Sequence, residues 1–74
     1  MPTVEVPSPI TGTVWKIVVS VGDRVAEDQP LVIVESMKME IPIPAPEGGI
    51  VDAIKVAEGD TISEGDVVLL LRTD

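Results

Sequence analysis

The sequence predicts an all-β fold, built as two four-stranded antiparallel sheets packed face to face with internal pseudo-twofold symmetry. Three observations carry this expectation. The chain matches itself when displaced by 37 positions, the separation of Gly12 and Gly49, and the match runs through without an insertion. Its apolar residues are mostly Val, Ile and Leu, with Trp15 as the one aromatic, a composition that favours strands. The apolar runs are short and bounded by Gly, Pro and Asp, as strands between tight turns are. The 74 residues form one domain, 1–74, made of two repeat units of about 1–37 and 38–74 with four strands each.

Thr3 to Val6 alternates polar and apolar side chains and then meets Pro7 and Pro9, which reads as a short edge strand. Its repeat mate is Glu40 to Ile43, with Pro42 in the place of Glu5. Proline cannot donate a ladder hydrogen bond, so this position is expected at a sheet edge or facing solvent in both copies. Gly12 to Val19 and Gly49 to Val56 are the next pair of strands. Their shared apolar positions are 14, 17 and 19 in the first copy and 51, 54 and 56 in the second. The step of three breaks the strand period of two and predicts a bulge near Trp15-Lys16 and Asp52-Ala53. Because Asp52 would not be buried unpaired, its mate Trp15 is expected to point outward, either over an open end of the core or toward a partner.

Gly22-Asp23 and Gly59-Asp60 read as matching turns, with glycine at positive φ and Asp bonding the backbone two residues on. Neither Asp has acidic neighbours at calcium-loop spacing, so both are structural rather than metal sites. Leu31 to Val34 and Val67 to Leu71 are continuous apolar runs, expected as central strands buried on much of both faces.

Composition also narrows function. With no His and no Cys, the chain lacks the commonest general base, the commonest metal ligand and the best thiol nucleophile. No catalytic centre or metal site of its own is expected. A net charge of −8, with Lys16, Arg24, Lys38, Lys55 and Arg72 scattered along the chain, argues against nucleic acid and for basic protein partners. No apolar run approaches the roughly 20 residues that span a bilayer, and the first residues do not form a leader pattern. A cytoplasmic protein without membrane partners is the expectation.

Between Leu31 and Ile43 the chain reads strand, turn, strand. Met37-Lys38 stands where a two-residue hairpin prefers Asn-Gly or Asp-Gly. Forcing a residue with a side chain toward positive φ costs about 1 kcal/mol or more, so Lys38 is presented against local preference. Taken by themselves, these residues read as a solvated lysine between two flexible hydrophobes.

Glu35-Ser36-Met37-Lys38-Met39-Glu40 resembles the biotin-attachment signature of biotin carboxyl carrier domains. The two Gly-Asp turns and the internal repeat extend the resemblance to the biotinyl/lipoyl domain family over essentially the whole chain. What the family implies is a flattened barrel-sandwich hybrid, with the modified lysine at the tip of the hairpin joining the fourth and fifth strands. By that resemblance Lys38 is joined to biotin through an amide, Met37 and Met39 are read by the biotin ligase, and Glu35, Ser36 and Glu40 complete the recognised stretch. The implied partners are a biotin protein ligase, a biotin carboxylase and a carboxyltransferase, with the domain itself a carrier rather than an enzyme.

Two departures refine the resemblance. Ser36 replaces the Ala common at this place in the motif, a small-for-small change. The extra loop, or thumb, of many bacterial acetyl-CoA carboxylase carriers is absent, because Val19 to Asp23 aligns without a gap to Val56 to Asp60. This directs the resemblance to carriers of the pyruvate, propionyl-CoA, methylcrotonyl-CoA or decarboxylase type, or to freestanding biotin/lipoyl attachment proteins. One alternative with the same fold is a lipoyl carrier of an oxoacid dehydrogenase, whose usual turn has Asp before and Ala after the lysine; methionines on both sides favour biotin over lipoate. A third reading is an unmodified adaptor of the kind found in efflux-pump membrane-fusion proteins, whose long helical hairpin between the halves has no counterpart here.

Overall fold

The computed structural model describes residues 2–73. Eight strands follow one another: β1 (Thr3–Pro7), β2 (Gly12–Ile17), β3 (Arg24–Val25), β4 (Pro30–Ser36), β5 (Met39–Pro44), β6 (Gly49–Ile54), β7 (Thr61–Ile62) and β8 (Val67–Arg72). They form two four-stranded sheets, ordered β1-β8-β6-β3 and β5-β4-β2-β7, in which every pairing is antiparallel. Each sheet takes two strands from each repeat unit, so the units are interlocked rather than side by side. The two apolar runs, β4 and β8, are interior strands of their sheets, as are β2 and β6. The strands carrying Glu5 and Pro42 lie at edges, where both side chains are exposed.

The displacement of 37 positions is carried into the packing. Val6 and Ile43, Val14 and Val51, Val25 and Ile62, Leu31 and Val68, Val32 and Leu69, and Val34 and Leu71 are repeat mates, and every one of them is buried. The core is therefore a set of duplicated aliphatic layers, with no aromatic inside it. Ser8 and Ala45 form a further buried pair; the hydroxyl of Ser8 is satisfied by donating to the carbonyl of Ile10 at 2.6 Å.

Bulges also come in mated pairs. The ladder register shifts across Trp15 in β2 and across Asp52 in β6, as the step of three predicts. A second pair lies at Leu31 in β4 and Val68 in β8, and the sequence did not reveal it. An extra residue in a strand lets two consecutive side chains turn to the same side. Leu31-Val32 and Val68-Leu69 are therefore all buried, while Ile33 and Leu70 are only half-buried. The continuous apolar runs thus reflect kinked strands with one principal inner face, a correction to the expectation of two buried faces.

Two strands are shorter than expected. β2 ends at Ile17 and β6 at Ile54, rather than at Val19 and Val56, because the chain leaves the ladder there to enter the Gly-Asp turns. In those turns Asp23 Oδ2 accepts from the amide of Ser20 and Asp60 Oδ2 from that of Ala57, each at 2.9 Å. The caps point back three residues instead of forward two. Gln29 and Asp66 cap Ala26 and Ser63 in the same manner. Gly22, Gly59 and Gly65 adopt positive φ, and Asp28, the mate of Gly65, does so at 71°. No group of three or more potential metal ligands occurs among the described residues. No helix among them is long and apolar enough to cross a membrane.

Candidate functional site

β4 leaves the core with Val34 buried and Glu35 exposed, and the chain reverses at Met37 and Lys38 before β5 returns. Ser36 pairs with Met39, which makes the connection a two-residue hairpin. Met37 has φ of 51° and Lys38 of 66°. Positive φ at both central positions is the backbone form whose twist matches the flanking strands, and it normally selects Asn and Gly. The expected strain is therefore present, and it falls on the two residues that the sequence singled out.

All six residues of the sequence motif lie together at this tip. Met37 is 91% exposed and Met39 62%. Lys38 is exposed and has neither an ion pair nor a side-chain hydrogen bond among the described residues. Glu35 and Glu40 face each other directly across β4 and β5, and like charges in that arrangement are unfavourable. The tip thus carries a nucleophile-bearing side chain, two apolar flanks and two acids, and the fold holds none of them inside.

Sequence reading missed a supporting residue, Gly12. A Cβ there would lie 2.5 Å from the carbonyl oxygen of Glu35 and 2.8 Å from Val34 Cγ1. Only glycine lets β2 come this close under the stem of the lysine hairpin. Gly49 stands in the same relation to the carbonyl oxygen of Arg72, at 2.6 Å. The signal was present as a glycine opening the same strand in both repeats.

No cavity opens in the surface of the described residues. A family model described as biotin-requiring enzyme matches residues 2–71. The chain belongs to the biotin/lipoyl attachment family. Among its relatives, the biotin/lipoyl attachment protein of Bacillus subtilis is 50% identical over 62 residues, covering 84% of this chain and 85% of that one. The biotin carboxyl carrier protein of Streptococcus mutans is 48% identical over 65 residues, covering 88% of this chain and 50% of the relative. Among solved structures, the urea carboxylase of Kluyveromyces lactis superposes with a TM-score of 0.92 at 33% identity, over 97% of this chain and 6% of that much longer one. A likeness at this level extends to the whole two-sheet body of the family fold.

Proposed function

We propose that this biotin/lipoyl family member is a biotin carboxyl carrier in which Lys38 is the point of covalent attachment. The observation that carries the reading is the hairpin tip, where Lys38 is exposed, unpaired and held at positive φ between two exposed methionines. The residues fit the group. Attachment of biotin needs one accessible primary amine and room for a long arm to leave the surface, and the tip offers both.

An aliphatic amine is a far stronger base than a carboxylate, so Glu35 and Glu40 at the tip cannot take its proton, and a ligase must activate the acid and accept the proton. Lys38 Nζ then attacks the carbonyl carbon of the activated acid, an acyl-adenylate. A C–N bond forms, the C–O bond to AMP breaks and AMP leaves. The amide product is neutral, and the positive charge of Lys38 is lost. Met37 and Met39 present apolar side chains on either side for the ligase to read, with Ser36, Glu35 and Glu40 completing the surface. When attached, the biotin ring supplies a place for a carboxyl group to ride between two active sites. The chain's own contribution is a stiff base for the tether, which raises the effective concentration of the ring at each site.

The partners of this reading are a biotin protein ligase, a biotin carboxylase and a carboxyltransferase, in a cytoplasmic setting. Intact-mass analysis after co-expression with a biotin ligase tests it, and one biotinyl adduct mapped to Lys38 is the expected result. A lipoyl adduct would make the chain a lipoyl carrier, and an unmodified chain would leave it an adaptor. Lys38→Arg is expected to abolish the adduct and leave the thermal midpoint unchanged; an unfolded variant would instead assign Lys38 a structural role.

A further inference from the structure

Met37 and Met39 are the two most exposed of the large hydrophobics in the described chain, at 91% and 62%, and neither contributes to the core. Packing therefore gives no reason for thioethers at these positions. The chain has no Cys, Tyr or Phe, and Trp15 is 43% exposed, with Lys16 Nζ 5.7 Å from the centre of its ring. Among the described residues, the side chains most open to a two-electron oxidant are gathered on either side of Lys38. The turn fixes them there, Met37 by its left-handed backbone and Met39 by its pairing with Ser36.

We propose that Met37 and Met39 form a reversible oxidation site that controls acylation of Lys38, an inference that rests on the carrier reading above. The oxidant class is a peroxide. The thioether sulfur attacks one peroxide oxygen, the O–O bond breaks, and sulfur is oxidised by two electrons to the sulfoxide. The peroxide is reduced, and its second oxygen leaves as water from hydrogen peroxide or as an alcohol from an organic peroxide. Each event turns a flexible apolar flank into a polar, chiral one. A ligase that reads two apolar flanks then has to bury an S–O dipole beside the amine, which is unfavourable unless a partner is provided. Because the modified groups lie outside the core, the fold is untouched and the change is confined to loading. Methionine sulfoxide reductases, one for each sulfoxide epimer, restore the thioethers: two thiols are oxidised to a disulfide and the oxygen leaves as water.

The test treats the full, unmodified chain with hydrogen peroxide, maps the added oxygen by peptide mass spectrometry to Met37 and Met39 separately from Met1, and measures the rate of biotinylation by a biotin ligase. Expected are oxygen on both tip methionines, an unchanged thermal midpoint and a fall in loading rate of about tenfold or more, the scale of an unpaired polar group at an apolar contact. The two methionine sulfoxide reductases together, one for each sulfoxide epimer, with a thiol reductant should return the rate to its starting value. Equal loading before and after oxidation overturns the proposal, as does a loss that the reductases do not reverse. If the untreated chain is not biotinylated at all, the carrier reading fails first, and the two failures are told apart by that control. The Met37→Leu, Met39→Leu double variant sharpens the result: whatever its starting rate, peroxide should leave that rate unaltered.

Discussion

The lysine tip and its counterpart in the other sheet occupy equivalent places in a duplicated scaffold, yet they are built to opposite standards. Across β4 and β5, Glu35 faces Glu40; in the matching place across β8 and β1, Arg72 faces Thr3. Ser36 and Met39 are joined by two strained residues, whereas their mates Thr73 and Pro2 are linked by a backbone hydrogen bond of 2.9 Å. Asp52 reaches Arg72 at 3.8 Å, but the same two positions in the lysine-bearing sheet hold Trp15 and Glu35. Val18 and Val21, both exposed, have the charged mates Lys55 and Glu58. Inside, the six aliphatic pairs of the core agree in burial mate by mate. The divergence shows that the interior is governed by packing, which duplication satisfies twice, while two of the three described non-glycine residues at positive φ, Met37 and Lys38, stand together at the tip proposed for attachment.

The most damaging test of the shared interior is a methyl group under the lysine hairpin stem in one copy and under the end of β8 in the other. Gly12→Ala and Gly49→Ala are each expected to destabilise by about 3 kcal/mol, since the neighbouring carbonyl cannot retreat without bending a central strand. Denaturant unfolding checks whether the two costs are alike; a large difference would mean that the copies are similar in shape but not in mechanics. Replacing the strained turn by the preferred one, Met37→Asn with Lys38→Gly, should stabilise by about 1–2 kcal/mol and remove all loading. A variant no more stable than the parent would show that the tip is not held at local cost.

Smaller effects separate the copies further. At the position with φ of 71° in one copy and 91° in the other, Gly65→Asp should cost about 1 kcal/mol, and Asp28→Gly should gain about 0.5 kcal/mol. Calorimetry reads both as shifts in Tm of opposite sign. Glu40→Thr installs the residue of the opposite sheet and relieves the carboxylate pair, with an expected gain of about 0.5 kcal/mol that shrinks as salt is raised.

Much of this was legible because a repeat supplies two readings of each position. The break in period at Trp15 was convincing once Asp52 showed the same break, and Lys38 stood out because its turn defied a strong local preference. The exchange of strands between the units was not legible, since periodicity names faces but not neighbours. The bulges at Leu31 and Val68 were hidden because an apolar residue on either side of a kink reads as one continuous run. Asp28 gave no turn signature of its own; the clue was glycine at its mate, Gly65. At the tip, the motif located all six residues, but the service of Gly12 depends on a close approach between strands far apart in sequence.

The exchange of strands has a consequence for protein chemistry at the lysine. A protease that cuts after Lys38 severs the covalent join between the halves, yet each half remains woven into both sheets by ladders to the other. Such a nicked molecule should still migrate as a single folded species and fall apart only in denaturant. The acylation proposed for Lys38 would remove the positive charge that trypsin requires, so resistance to the nick would count the occupied carriers in a population without any label.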